Sequence, residues 1–401
     1  MTSSKGSLPP DNVARSVSDL RILEEPDAEL TLPASEETNL SDLEHRAREI
    51  LARPVYDFVS GGADDEVTLR DNEAAWTRIR LRPHVLQGVD RVSTRTTLLG
   101  TPLGAPIIVA PFSYQRLIHA EGEVATARGG AAAESLLVIS TRATVSLEEI
   151  ASAAPNLPRW FQVYILRDRG WTAELVLRAA ASGCRALMLT VDAPVIGRNH
   201  RAERSRFSFP QSQLANLGSG VPVDPTELQS YSGAEHDPAI GLDDIGWLRQ
   251  VANLPVIVKG VLRGDDAAAC VEAGADAVVV SNHGGRQLDT SIATADALPD
   301  VAESVGSRAQ VYVDGGIRRG TDILKALALG ADAVLVGRPA IWGLAVAGAE
   351  GVFAVLDTLR QELVRAMMLC QTSTLQSISS DLLVLDNRAH PPSRTAVPRS
   401  L

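Results

Sequence analysis

The run Ser281-Asn282-His283-Gly284-Gly285-Arg286-Gln287-Leu288-Asp289 sets a titratable base, two glycines and a guanidinium side by side. His283 can exchange a proton near neutral pH. The glycines let the backbone come close to a ligand, and Arg286 offers a planar fork to a carboxylate. The run follows Ala277-Val278-Val279-Val280, which reads as a parallel strand buried on both faces. A polar cluster opening at the carboxyl end of such a strand is where α/β barrels hold their chemistry.

Other apolar runs end on polar groups of matching use. Asp192 closes one of them. A carboxylate beside a histidine fixes its tautomer and favours its charged form, so His283 and Asp192 suit an acid–base pair that removes a hydroxyl or α proton. Lys259 closes another run, where it can stabilise the reduced, anionic ring of a flavin. Asp314-Gly315-Gly316-Ile317-Arg318 and Gly337-Arg338 have the composition of the phosphate cradle after the last two strands of such barrels. Pro111, Phe112, Ser113, Ser140, Gln162, Thr190 and Ser281 stand at further strand ends. Their hydroxyls and amide suit a flat polar heterocycle such as a flavin. Tyr164 and Tyr56 can hydrogen-bond a substrate oxygen.

These residues need a scaffold that brings strand ends together. From Pro102 onward, apolar runs alternate eight times with Ala-rich helical runs. The expected strands are Ala105 to Pro111, Leu136 to Thr141, Trp160 to Ile165, Ala186 to Asp192, Pro255 to Gly260, Ala277 to His283, Val311 to Gly316 and Ala333 to Arg338. Eight parallel strand–helix units close into an α/β TIM (β/α)8 barrel. Gly183, Gly274 and Gly330 stand where helix C-caps are required. A helical extension precedes the barrel. Ser41-Asp42-Leu43-Glu44 reads as a capping box opening a helix that Pro54 stops, and a second helix covers about Asp64 to Ala75. Between the fourth and fifth strands a Ser-, Gly- and Pro-rich insertion, about 205–240, reads as a lid. Residues 1–36 read as a disordered or loosely docked tail, 37–385 as the barrel domain, and 386–401 as a basic tail used in subunit contacts or frayed.

Composition bounds the rest. With 401 residues, 45% hydrophobic and 22% charged, the chain can bury a large core. A net charge of -11 argues against a nucleic-acid surface. No apolar run reads as long enough to span a bilayer, and the N-terminus lacks the apolar core of a signal peptide. Cys184, Cys270 and Cys370 are far apart, which suits reduced thiols in a cytoplasmic enzyme without a disulfide frame or a metal site.

From about Leu40 to Leu385 the chain resembles the FMN-dependent L-2-hydroxy acid oxidases and dehydrogenases, a family that includes glycolate oxidase, lactate oxidase and mandelate dehydrogenase. The motifs that carry the resemblance are Ser281 to Asp289, Asp314-Gly-Gly-Ile-Arg-Arg-Gly and Gly337-Arg-Pro. Ala110-Pro-Phe-Ser-Tyr-Gln-Arg-Leu-Ile-His-Ala-Glu-Gly-Glu and Trp160-Phe-Gln-Val-Tyr-Ile-Leu-Arg-Asp resemble bacterial 4-hydroxymandelate oxidases in particular. The resemblance implies oxidation of an aromatic, mandelate-like L-2-hydroxy acid to the 2-oxo acid, with FMN reoxidised by oxygen to give hydrogen peroxide. It implies that His283 is the base, Asp192 its partner, Arg286 the carboxylate grip, and Tyr164 and Tyr56 substrate contacts. Lys259 would support the flavin ring, and Ser113, Ser140, Gln162, Thr190 and Ser281 would line the FMN. Asp314 to Arg318, Gly337 and Arg338 would hold its ribityl chain and phosphate. Family members are commonly homotetramers.

Two positions depart from the family pattern. A second carboxylate-binding arginine is expected shortly after Asp192, and Asn199 stands there instead. A neutral amide does not replace a bidentate guanidinium. Arg142 stands where relatives often carry an apolar or aromatic pocket residue, and the hypothesis is that it restores the lost charge. The rival is a substrate other than a simple 2-hydroxy acid, such as a larger or amide-bearing biosynthetic intermediate. Ser113 stands where oxidases tend to have Ala and some dehydrogenases Gly, so the electron acceptor is left open. A third reading, a type 2 isopentenyl diphosphate isomerase-like flavoenzyme, would not need the His283–Arg286 pair.

Overall fold

Eight short strands close into one parallel barrel in the computed structural model, which describes residues 39–208, 214–217 and 236–385. They are β1 (Ile107–Val109), β2 (Leu136–Ile139), β3 (Arg159–Val163), β4 (Leu187–Thr190), β5 (Val256–Val261), β6 (Ala277–Val280), β7 (Gln310–Val313) and β8 (Ala333–Val336). Each strand pairs in parallel with its neighbours in sequence, and β8 pairs back onto β1. The expected α/β barrel is the observed one.

Period-two geometry explains why the runs are apolar throughout rather than alternating. Ile108, Val138, Met188, Ile257, Val279 and Leu335 point into one interior cluster, where the rings of Trp160 and Tyr312 stack at 5.6 Å. Their neighbours Ile107, Leu137, Leu189, Val258, Val280 and Val336 point outward into a second cluster shared with the helices. A small antiparallel pair, Thr96–Leu98 with Thr101–Leu103, precedes β1 and adds Leu98 and Leu103 to the interior cluster, at the amino end of the strands.

The helices are α1 (Leu40–Ile50), α2 (Arg53–Ser60), α3 (Val67–Arg78), α4 (Glu123–Ala132), α5 (Leu147–Ala153), α6 (Arg169–Ala181), α7 (His200–Arg204), α8 (Asp243–Ala252), α9 (Gly264–Glu272), α10 (Thr294–Val305), α11 (Gly320–Ala328) and α12 (Arg338–Leu369). Gly183, Gly274 and Gly330 follow helix ends with φ of 80°, 100° and 102°, the left-handed geometry such caps need.

Three local expectations are corrected. The cap of α1 is Asn39, whose side chain accepts from the Ser41 amide, so the helix opens before the expected box. Pro54 does not close a helix but sits in the first turn of α2, where its missing N–H costs nothing. Tyr56, Asp57 and Phe58 are therefore helical, and α3 follows as a separate helix. Finally, α12 is apolar and long enough by itself to cross a bilayer, contrary to the expectation from sequence. It is broken at Ala347 and Gly348, and it packs against α1, α4 and α11 with most of its apolar window buried, as a core helix does.

The proposed tails, 1–36 and 386–401, lie outside the described residues, as does most of the 205–240 insertion.

Candidate active site

All the strands but β5 stop sooner than expected, because their last residues leave the ladder to face the site. Beyond β2, the Thr141 amide donates to Gln162 Oε1 at 3.2 Å rather than to a strand. Beyond β6, His283, Gly284 and Gly285 take φ of 59°, 64° and 72° in succession. A left-handed histidine is a strained, overdetermined position of the kind found at functional sites. Only glycine fits at Gly285, where a Cβ would lie 2.6 Å from the Leu69 backbone nitrogen.

That turn brings His283 Nδ1 to 2.8 Å from Asp192 Oδ1. Carboxylates accept only, so Nδ1 carries a proton in either charge state, and in the neutral ring Nε2 is the acceptor. Burial by itself would raise the Asp192 carboxyl. The charges of His283 and Lys259 outweigh it and hold the carboxyl below the usual carboxylate range. Close approach of β5 makes this possible. Gly260, at a register shift in that strand, would place a Cβ 2.6 Å from Asp192 Cβ.

Lys259 is buried, 3.1 Å from an Asp314 oxygen, and donates to Ser281 Oγ at 2.8 Å. Burial would lower its pKa, but Asp314 and Asp192 raise it above the ordinary lysine value. The ammonium is therefore charged at neutral pH.

A polar arc runs round the same cleft. Ser113 Oγ and Ser140 Oγ lie 3.1 Å apart, and Gln162 Nε2 donates to Thr190 Oγ1 at 3.1 Å. Together with Pro111, Phe112, Tyr164, Lys259, His283 and Arg286, these residues line a cleft of about 920 Å³ including its open mouth. Its far end is formed by Asp314, Gly315, Gly316, Arg318, Gly337 and Arg338. Ser281 is wholly buried just beneath, bound to Lys259 and to the His283 amide.

The far end is built for an anion. Burial and the charges of Arg286 and Arg318 push the Arg338 guanidinium down to about 9. The guanidiniums of Arg318 and Arg338 fit a phosphate dianion there. Asp314 Oδ1, buried and without a hydrogen-bond partner among the described residues, can accept from a polyol hydroxyl. The serine, glutamine and threonine arc offers donors and acceptors to the edge of a flat ring. The residues present fit a flavin mononucleotide.

Tyr56, expected as a substrate contact, is not among the residues that line the cleft. Tyr56 stacks on Trp342 at 5.5 Å, approaches Glu44 Oε1 at 3.3 Å and lines an adjoining cavity with Arg48, Arg53, Arg201 and Arg204. The helical backbone of α2 turns it there, and Phe58 lines the cleft instead. Asn199 caps α7, accepting from the Ala202 amide at 3.0 Å, and its Nδ2 approaches the Phe58 carbonyl. Arg286 donates to the carbonyls of Phe58 and Gly61 at 2.8 and 3.0 Å, with its guanidinium 4.9 Å from the Phe58 ring centroid. Arg142 is buried at the end of β2, with Nη2 3.2 Å from His236 Nε2. His236 in turn stacks on Tyr164 at 4.1 Å. Neither Phe58 nor His236 was expected in the site. Phe58 fell in a stretch read as lying between two helices, and His236 is a lone histidine in an irregular segment, which gives no signal in sequence.

The model of FMN-dependent dehydrogenases matches residues 47–385. The chain belongs to the FMN-dependent dehydrogenase family. It is 49% identical over 358 residues to an L-lactate oxidase from Nostoc sp., covering 86% of this chain and 98% of the relative. It is 42% identical over 353 residues to human 2-hydroxyacid oxidase 1, covering 86% and 95%. A crystal structure of mandelate oxidase with (S)-4-hydroxymandelic acid superposes with a TM-score of 0.81 at 39% identity, covering 86% of this chain and 98% of that one. The protein is thus an oxidoreductase of the FMN-dependent 2-hydroxy acid oxidase family, and FMN is its cofactor.

Proposed function

We propose that the enzyme oxidises an aromatic, mandelate-like L-2-hydroxy acid to the 2-oxo acid, with oxygen as the final acceptor and hydrogen peroxide as the second product. The observation that carries this reading is the His283–Asp192 pair at 2.8 Å, in one cleft with Lys259 and Arg286. With Nδ1–H held by Asp192, His283 Nε2 receives the substrate hydroxyl proton, and the adjacent carboxylate stabilises the imidazolium that forms. Arg286 grips the substrate carboxylate from the same turn, which fixes the hydroxyl against the base. Tyr164 donates to the substrate oxygen from β3. Bound FMN would supply the acceptor for the substrate α-hydrogen and its electron pair, the redox chemistry from which oxygen would yield hydrogen peroxide. Lys259 would lend positive charge to the reduced ring, and Ser113, Ser140, Gln162, Thr190 and Ser281 would hold its polar edge. Asp314 to Arg318, Gly337 and Arg338 receive the ribityl chain and phosphate.

A second reading, an amide-bearing substrate, is favoured by one observation. Asn199 is a helix cap and brings no charge to the Arg286 end of the cleft. The test for both is a comparison of L-mandelate with its amide under air, measuring the 2-oxo product and peroxide together. Equimolar 2-oxo acid and peroxide from the acid alone supports the first reading; turnover of the amide alone replaces it with the second.

A further inference from the structure

We propose that Arg142, held by His236, recognises a second acidic group at the end of the substrate remote from Arg286, so that the preferred 2-hydroxy acids are diacids. This rests on the oxidation reading above and names the substrate class within it.

The topology places the two guanidiniums. Strand order round the closed barrel runs β7-β8-β1-β2-β3-β4-β5-β6, so β2 and β6 stand on opposite walls. Arg142 follows β2 and Arg286 follows β6. A molecule with an acid at each end can engage arginines from opposite walls together. Asn199, neutral and used as a cap, adds no charge beside Arg286.

The Arg142 side is built to hold its charge in position. The residue is 3% exposed, and its amide donates to Ser140 Oγ, which lines the cleft, at 3.1 Å. A guanidinium only donates, so His236 Nε2 is the acceptor across 3.2 Å, and the imidazole is the neutral Nδ1–H tautomer. Burial, with the neighbouring Arg142 charge, pushes the His236 pKa down to about 3, so it stays neutral across the working range. The ring lies against Tyr164 with planes 22° apart, and Tyr164 lines the cleft. The backbone fixes the stack: His236 bridges to Leu166, and the Asp237 amide donates to the Ile165 carbonyl at 2.9 Å. Arg142, His236 and Tyr164 thus form one wall, drawn from β2, the segment before α8, and β3. Each long charged side chain needs such support to act as a specific contact.

The test is ligand binding to the FMN-loaded enzyme, read from perturbation of the flavin spectrum, with benzoate and terephthalate as non-reacting probes. The wild type should bind terephthalate at least about tenfold more tightly than benzoate, the worth of one charge-assisted hydrogen bond. Arg142→Gln should bring that ratio near one and leave benzoate affinity nearly unchanged. His236→Phe keeps the ring stack but not the acceptor and should lower the ratio, while His236→Gln, which can still accept from Arg142, should restore it. Equal weakening of both probes by Arg142→Gln would overturn the proposal and make Arg142 a grip for the carboxylate that all substrates share. No preference in the wild type would overturn it as well. A flavin that no 2-hydroxy acid reduces would count against the oxidation reading instead, and the binding ratio would still decide on Arg142.

Discussion

His283 and Asp192 reach each other from non-adjacent strands, β6 and β4, across the end of β5. Their 2.8 Å contact exists because Gly260 lets that strand pass close to the Asp192 side chain and because His283 adopts a left-handed backbone. The acid–base pair is therefore a product of backbone geometry at two loops as much as of two side chains.

Asp192→Asn keeps the shape of the side chain and removes the charge that fixes the His283 tautomer. Flavin reduction by a 2-hydroxy acid should slow by about 10²–10⁴, the range for loss of general-base catalysis. FMN content should be unchanged. Stopped-flow absorbance gives the rate, and a fall of less than about tenfold would remove Asp192 from the mechanism.

The Asp192 pair also sets an acid limit. Its pKa is lower in the folded chain than in the unfolded one. The stability it contributes is complete above the unfolded carboxylate value of about 3.9 and is lost as pH falls through the lower folded value. Thermal unfolding of wild type and Asp192→Asn below about pH 4 should show the acid-side slope flattened in the variant.

Lys259→Met leaves Asp192 and Asp314 buried without their shared cation. Breaking a buried pair by removing one partner costs about 3–5 kcal/mol. The melting temperature should fall accordingly, and rates of flavin reduction should fall with it, since the charge beside the ring is gone. An unchanged melting temperature would show that the Lys259–Asp314 contact at 3.1 Å carries no net stability.

Arg338→Gln should weaken FMN binding at least about tenfold, because a guanidinium facing a phosphate contributes about 1.5–3 kcal/mol. Quenching of FMN fluorescence on titration into apoprotein measures this directly. Gly285→Ala offers a geometric counterpart: with φ at 72° and Leu69 in the way, it should displace His283 and Arg286 together and cost about 1–3 kcal/mol in backbone strain alone.

The barrel was legible in the sequence because a strand buried on both faces is apolar at every position, and Ala277-Val278-Val279-Val280 can do little else. The turn after it was legible because glycine pairs and an arginine beside a histidine are rare without a site to serve. What sequence did not show depended on direction rather than residue type. Tyr56 and Phe58 lie two residues apart on one helix, and the face each presents follows from how α2 docks, which no local pattern records. His236 gains its place through a bridge to Leu166, a contact some seventy residues away in the chain. Asn199 illustrates the same limit: its spacing from Asp192 marks it as a departure, but its use as a cap is visible only in three dimensions.

The central claim is that His283 takes a substrate proton while two electrons pass to bound FMN. Anaerobic mixing of the yellow holoenzyme with L-4-hydroxymandelate tests it most directly. The account predicts that the visible flavin band bleaches in the wild type, returns when oxygen is readmitted with peroxide formed, and bleaches far more slowly in His283→Gln. A holoenzyme whose flavin stays oxidised with this and other L-2-hydroxy acids, or a His283→Gln variant that bleaches at the wild-type rate, would contradict it.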